Sequence, residues 1–118
     1  MAKIDLSALD EIEGYMGGCL TDSESGMVLG KSGTSPFDLE LAAAGNTQVV
    51  RAKKKTIKAL GLKDSIEDIL ISLKTQYHII RILGSSENLF LYVVLDRSKS
   101  NLAMARHQLK AFEAGLSI

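Results

Sequence analysis

PFDLELAAAGNTQVVRAKKKTIKAL, residues 36–60, is the stretch on which the reading of the chain turns. Its spacing predicts one long helix with three distinct faces. At about 100° per residue, Leu39, Ala43, Val50 and Ile57 fall on one stripe, the face that must be buried. Ala42, Gly45, Val49, Ala52 and Thr56 recur at spacings of three and four on a neighbouring stripe of small residues. Arg51, Lys54, Lys55 and Lys58 fall on the far side and read as solvated. A helix that only covers its own core has no use for the second stripe. Small side chains let another backbone approach, so this face is expected to dock a second polypeptide, such as the same helix of another copy. The simpler alternative is a flank packed under a local loop. Ser35 is the expected cap, and Pro36 suits the first helical position, where a missing N–H costs nothing. Asp38 and Glu40 complement the start of the helix dipole and the lysines its end. Gly61 is the expected stop.

Working outward toward the N-terminus, residues 4–15 predict a short amphipathic helix. Leu6, Leu9, Ile12 and Met16 mark its buried side, and Asp5, Asp10, Glu11 and Glu13 its wet side. Gly17-Gly18 is read as its end. A short strand over 18–21, a polar turn over 22–26 and a returning strand from Met27 predict a hairpin. Residues 31–35 read as polar linker.

Toward the C-terminus, residues 66–75, 77–83 and 89–96 predict three strands joined by short turns, hence an antiparallel meander. In the last, Leu89, Leu91, Val93 and Leu95 face one way and Phe90, Tyr92 and Val94 the other, so this strand is central and covered on both faces. The middle run divides likewise, Ile80 and Ile82 against Ile79 and Leu83. In 66–75, Ile69, Ile71 and Leu73 line one face and Asp68, Leu70, Ser72 and Lys74 the other. At a sheet edge this strand has few of the usual protections, and self-pairing across a two-fold axis is the simplest cover. Ser100 is the expected cap of a last helix over 101–115, with Leu102, Ala105, Leu109 and Phe112 inward. The whole is expected to be a single α+β domain over residues 1–118: a five-stranded antiparallel sheet with the long helix on one face and two terminal helices on the other.

Composition narrows the function. With 118 residues, 46% of them hydrophobic, the chain has enough apolar surface for one modest core. Fourteen basic and fourteen acidic residues balance to a net charge of zero, which argues against non-specific nucleic-acid binding and removes the self-repulsion that opposes association. The one cysteine, Cys19, excludes an internal disulfide and suits a reducing compartment. No apolar run reaches the ~18 residues of a membrane span, so a cytoplasmic protein without membrane insertion is expected.

Several patterns imitate chemistry. Residues 26–32 resemble a phosphate-binding loop, but three residues separate the glycines where the motif needs four, and Met27, Val28 and Leu29 suit a strand. His78 and His107 have no partner at metal-ligand spacing, and Cys19 reads as a buried apolar residue rather than a nucleophile. The carboxylates near Thr21, Asp22 and Glu24 read as solvated turn residues. No catalytic residue, metal or cofactor is therefore expected. The basic run Arg51, Lys53, Lys54, Lys55 and Lys58 lacks the aromatic interleaving of a nucleic-acid surface. Its functional reading is a contact with an acidic partner.

The element order, Gly17-Gly18-Cys19-Leu20-Thr21-Asp22 before a glycine turn, the alanine-rich start of the long helix, and Leu95-Asp96-Arg97 leading into Asn101-Leu102-Ala103-Met104-Ala105-Arg106 together resemble the roadblock / dynein light chain family over about residues 6–116. The resemblance implies a five-stranded fold and a homodimer or heterodimer in which the third strands join into one sheet and the long helices lie side by side. It implies non-enzymatic regulation or scaffolding of small Ras-like GTPases, or a light-chain role in motor complexes, and the chain resembles the stand-alone type found in bacteria beside a small GTPase. The pairing surface so implied comprises Ala42, Gly45, Asn46, Val49, Ala52, Lys53 and Thr56 of the helix with Ile69, Leu70, Ile71, Ser72 and Leu73 of the strand. Arg51, Lys54, Lys55 and Lys58, from the reading of the basic run, are expected to supply the partner-binding electrostatics at its margin. A homodimeric GTPase regulator leads; a scaffold subunit and a small-molecule sensor are the alternatives.

Overall fold

A computed structural model describes residues 4–33 and 38–116. Five strands, β1 (Tyr15–Asp22), β2 (Val28–Gly33), β3 (Asp68–Ser72), β4 (Gln76–Ile82) and β5 (Leu89–Asp96), form one antiparallel sheet in the order β2-β1-β5-β4-β3. The helices are α1 (Leu39–Ala59) and α2 (Leu102–Ala114). The alternation in β5 works as expected. Leu89, Leu91, Val93 and Leu95 join Leu6, Leu9, Ile12, Ala105 and Leu109 in a core under α2. Phe90, Tyr92 and Val94 join Ala43, Val50, Ile80 and Cys19 in a second core under α1.

Several boundaries need correction. The first expected helix is a single 3-10 turn, Ser7–Glu11. Leu6, Leu9 and Ile12 repeat every three residues, which suits the three-fold turn of a 3-10 segment as well as one face of an α-helix. Gly14, at φ +84°, redirects the chain into β1, so Met16 packs in the α1 core and not with Leu6 and Leu9. Gly17 and Gly18 lie inside β1 and end nothing. A Cβ on Gly18 would sit 2.5 Å from the Tyr92 carbonyl oxygen of β5, so the glycine serves close strand approach. Lys31, Ser32 and Gly33, read as linker, continue β2 to its pairing with Gly17.

The long helix starts later than expected. Asp38 is its cap, its Oδ1 accepting from the backbone N–H of Glu40 at 2.9 Å and of Leu41 at 3.3 Å. Ser35 and Pro36 lie outside the described residues. At the other end, Gly61 (φ +68°) donates its N–H to Lys58 O and Leu62 donates to Ile57 O, the paired bonds of a Schellman stop. β3 is shorter than read, five residues, and Leu73 N donates to Gln76 O across a tight turn.

Candidate protein-docking site

The small stripe of α1 forms one wall of an open trough of about 490 Å³. Ala42, Gly45, Asn46 and Val49 come from the helix, and Leu73, Gln76, His78 and Tyr92 from the sheet. Val49 and Leu73 remain 38% and 41% exposed. Ala52 and Thr56 continue the stripe in solvent, and the Thr56 hydroxyl turns back to the Ala52 carbonyl at 2.9 Å. The floor is polar and self-satisfied. Gln76 Oε1 accepts from His78 Nε2 at 2.8 Å, Tyr92 Oη lies 3.0 Å from His78 Nδ1, and the Asn46 side chain also bonds Tyr92. Burial pushes the Tyr92 hydroxyl up to about 12 and holds His78 below the usual histidine value.

Gly45 separates the two readings of this face. Glycine inside a helix costs roughly 1 kcal/mol against alanine. At Gly18, Gly30 and Gly33 of the strands the chain itself gives a reason. A Cβ on Gly30 would meet Ile4 O at 2.6 Å and one on Gly33 the Gly17 Cα at 2.6 Å. A Cβ on Gly45 meets nothing within 4 Å. No described loop covers the stripe, so packing among the described residues does not account for it.

The trough runs into the edge of the sheet. β2 and β3 are the outer strands. The N-terminal segment lies against β2, with Ser32 Oγ donating to Leu6 O at 3.4 Å. Beyond β3 no described strand pairs. Its Ile69 packs toward α1 and its Leu70 toward α2, while Ile71 is half-buried and Ser72 exposed. Arg106 of α2 grips the start of this strand, Nε to Asp68 Oδ2 at 2.9 Å and the second guanidinium nitrogen to Oδ1 at 3.2 Å. The edge is thus held in register from behind and bare in front.

Solved structures share this fold. A roadblock/LC7 domain from Streptomyces avermitilis superposes with a TM-score of 0.82 at 16% identity, over 96% of this chain and 93% of that one. This is the roadblock fold. Gliding protein MglB from Thermus thermophilus matches at 0.77 and 19% identity, over 92% of this chain and 79% of its own. MglB from Myxococcus xanthus matches at 0.66 and 20% identity, over 85% and 78%. In sequence alone, no family model and no curated protein matches.

Within the roadblock fold the basic residues of α1 divide. Arg51 is not an idle solvated side chain. Its Nε donates to Ser23 O at 2.8 Å and its terminal nitrogen to Glu24 O, clamping the β1–β2 turn. Lys54 donates to Glu87 O in the β4–β5 turn. Lys53, Lys55 and Lys58 are exposed, with no ion pair among the described residues. Sequence reasoning missed the clamps because their acceptors are backbone carbonyls, which no residue type announces. It also missed Thr47, buried at 3% exposure, because a hydroxyl reads as polar until it bonds its own helix at Ala43 O.

The imitations of chemistry resolve into structure. Residues 28–33 are strand β2, and Lys31 pairs with Glu40 at 3.3 Å. Cys19 is fully buried beside Thr21, and burial pushes its thiol up. His107 is exposed on α2. Asp22 Oδ1 accepts from Glu24 N–H, so the acidic turn builds itself. Among the described residues no group of three metal-ligating side chains converges, and no helix is long and apolar enough to cross a membrane.

Proposed function

We propose that the chain is a roadblock-family, non-enzymatic regulator that acts as a homodimer beside a small Ras-like GTPase. The observation that carries the dimer is Gly45, a helix-interior glycine whose missing side chain faces open space. A second α1 laid along Ala42, Gly45, Val49, Ala52 and Thr56 gives that space an occupant. The same two-fold operation brings the bare edges of β3 together, so Ile69–Leu73 pair with their copies and one ten-stranded sheet results. Asn46 and Lys53 border the contact. The paired long helices then form a platform, with Lys55 and Lys58 at its margin steering an acidic surface and with Arg51 and Lys54 acting there through the turns they hold.

The GTPase as partner is carried by the family resemblance together with the fold shared with gliding proteins. The chain offers docking surface, and among the described residues no group of three metal-ligating side chains converges, which suits regulation by binding.

Light scattering after size exclusion tests the dimer. The wild type is expected at twice the 12.7 kDa chain mass. Gly45→Arg is expected as a folded monomer, because the new side chain has room within its own copy. A monodisperse wild-type monomer overturns the reading. GTP hydrolysis and nucleotide release by a co-encoded GTPase, with and without the chain, then separate a regulator from a scaffold.

A further inference from the structure

The flank of α1 across the buried stripe from Gly45 carries a second surface. Ile57, Ile66 and Ile82 floor a cleft of about 290 Å³ where the helix end meets the sheet. Leu62, 54% exposed, lines it just past the helix stop. That volume lies at the small end of ligand pockets, about 300–1,000 Å³, and fits an apolar side chain or two better than a metabolite. An exposed leucine set at an apolar cleft floored by three isoleucines marks a contact surface rather than ordinary surface scatter.

Charge selects the occupant. Residues 51–63 hold six cations, Arg51, Lys53, Lys54, Lys55, Lys58 and Lys63, and no acidic residue. Arg51 and Lys54 are committed to the turns. Lys55, Lys58 and Lys63 have no ion pair among the described residues, and Lys58 itself lines the cleft. Asp64, from the connection between α1 and β3, and Glu87, from the β4–β5 turn, line another part of the wall. A bound segment is therefore polarised, with its acidic groups along α1 and its apolar anchor between Ile57 and Ile82. The acidic wall and the absence of aromatic residues from the lining disfavour nucleic acid, which asks for stacking platforms in a uniformly basic groove.

We infer that the cleft at the C-terminal end of α1 docks an acidic protein segment bearing an apolar anchor. This rests on the reading of the chain as a partner-docking domain but not on the dimer, since the cleft lies away from the small stripe. It adds to the charged margin a pocket that gives the contact its specificity.

Fluorescence anisotropy tests it with a labelled peptide, Glu-Asp-Glu-Leu-Phe-Glu-Asp-Glu, against the whole chain. Saturable binding is expected, weakening as salt rises. Replacing Leu-Phe by Ser-Ser in the peptide is expected to cost about tenfold or more in affinity, as burial of apolar side chains implies. Leu62→Asp and Lys58→Glu are both exposed changes, and each is expected to weaken the parent peptide severalfold while circular dichroism and oligomeric mass stay unchanged. Absence of saturable binding overturns the proposal. So does equal binding of the Ser-Ser peptide or of duplex DNA, which would reduce the surface to bare charge. A wild-type monomer that binds the peptide leaves this inference standing and removes only the dimer.

Discussion

Tyr92 of β5 and His78 of β4 meet edge to face on the floor of the α1 trough, ring centroids 5.5 Å apart, with the Tyr92 hydroxyl 3.0 Å from His78 Nδ1. Gln76 Oε1 accepts from Nε2–H, so in the neutral ring Nδ1 is the acceptor and Tyr92 the donor. Protonation places a second N–H at Nδ1 and forces the hydroxyl to turn. Desolvation already holds the His78 pKa below its ordinary value. The unfolded chain therefore binds this proton more readily than the folded one, and stability is lost as pH falls through about 6.5 and below. The charged groups to consider are few. Asn46 and Val49 above are uncharged, Ile71 and Val94 flank on the neighbouring strands, and Asp96, cross-strand from Gln76, is held by Ser98.

A second chain over the trough would dry His78 further, so the dimer is expected to be more acid-sensitive than the fold. Between pH 7.5 and 5.5 the wild-type melting temperature should fall, and dimer dissociation should begin at higher protein concentration. His78→Gln should flatten both trends, read by scanning fluorimetry and light scattering. An unchanged pH response in His78→Gln would remove His78 as the source.

Glu113 joins the last turn of α2 to the sheet. Its Oε1 accepts from Arg81 Nε at 2.7 Å and its Oε2 from Gly84 N–H at 2.8 Å, with the Arg81 and Glu113 side chains 9% and 16% exposed. Removing one partner strands a buried charge. Glu113→Ala is expected to cost about 3 kcal/mol in urea unfolding. Replacing both, Arg81→Met with Glu113→Leu, should recover most of that loss, because apolar groups of similar size need no partner. A double variant as unstable as Glu113→Ala would mean that packing of α2, and not the stranded charge, sets the cost.

Gly45→Ala poses opposite expectations for monomer and dimer. The new methyl meets nothing within 4 Å in its own chain, and alanine favours the helix by roughly 1 kcal/mol. Unfolding of the isolated chain at high dilution should shift to higher denaturant by that amount. If a second helix passes close to Gly45, the same methyl weakens dimerisation, so the dissociation constant rises while the fold strengthens. A variant stabilised in both measurements would place the dimer contact elsewhere.

The sheet was readable in the sequence wherever burial alternated. β5, with Leu89, Leu91, Val93 and Leu95 on one side and Phe90, Tyr92 and Val94 between, specified a doubly covered central strand. α1 was readable from its three stripes. The misreadings have one physical origin: a glycine looks the same whether it stops a helix or admits a neighbouring strand. Gly17 and Gly18 read as a stop, yet both lie within β1, and Gly18 admits the Tyr92 carbonyl of β5, a reason that lies far along the chain. The 3-10 turn escaped for a related reason, since Leu6, Leu9 and Ile12 satisfy two helical periods in so short a span. At the site, the small stripe and the edge residues were legible as types. The roles of Arg51 and Lys54 were not, because their acceptors are main-chain atoms brought close only by folding.

That division among the cations predicts which substitutions report on binding. Arg51 donates to Ser23 O and Glu24 O, while Ser23 N–H and Oγ both donate to Asn88 O at 2.8 and 3.0 Å. One guanidinium therefore ties α1 to the β1–β2 turn, and through Ser23 to the β4–β5 turn. Arg51→Ala removes a charge-assisted pair of bonds and is expected to destabilise the fold by about 1.5–3 kcal/mol. Arg51→Lys should restore only part, because an ammonium lacks the planar fork that reaches two carbonyls. Lys55→Ala and Lys58→Ala touch no described partner and should stay within about 0.5 kcal/mol of wild type. Partner affinity lost in Lys55→Ala or Lys58→Ala then reports the interface itself, while loss in Arg51→Ala counts only if its melting curve at the assay temperature still shows a folded chain. Equal stability of Arg51→Ala and Lys55→Ala in urea would show that the clamp contributes nothing to holding the two turns.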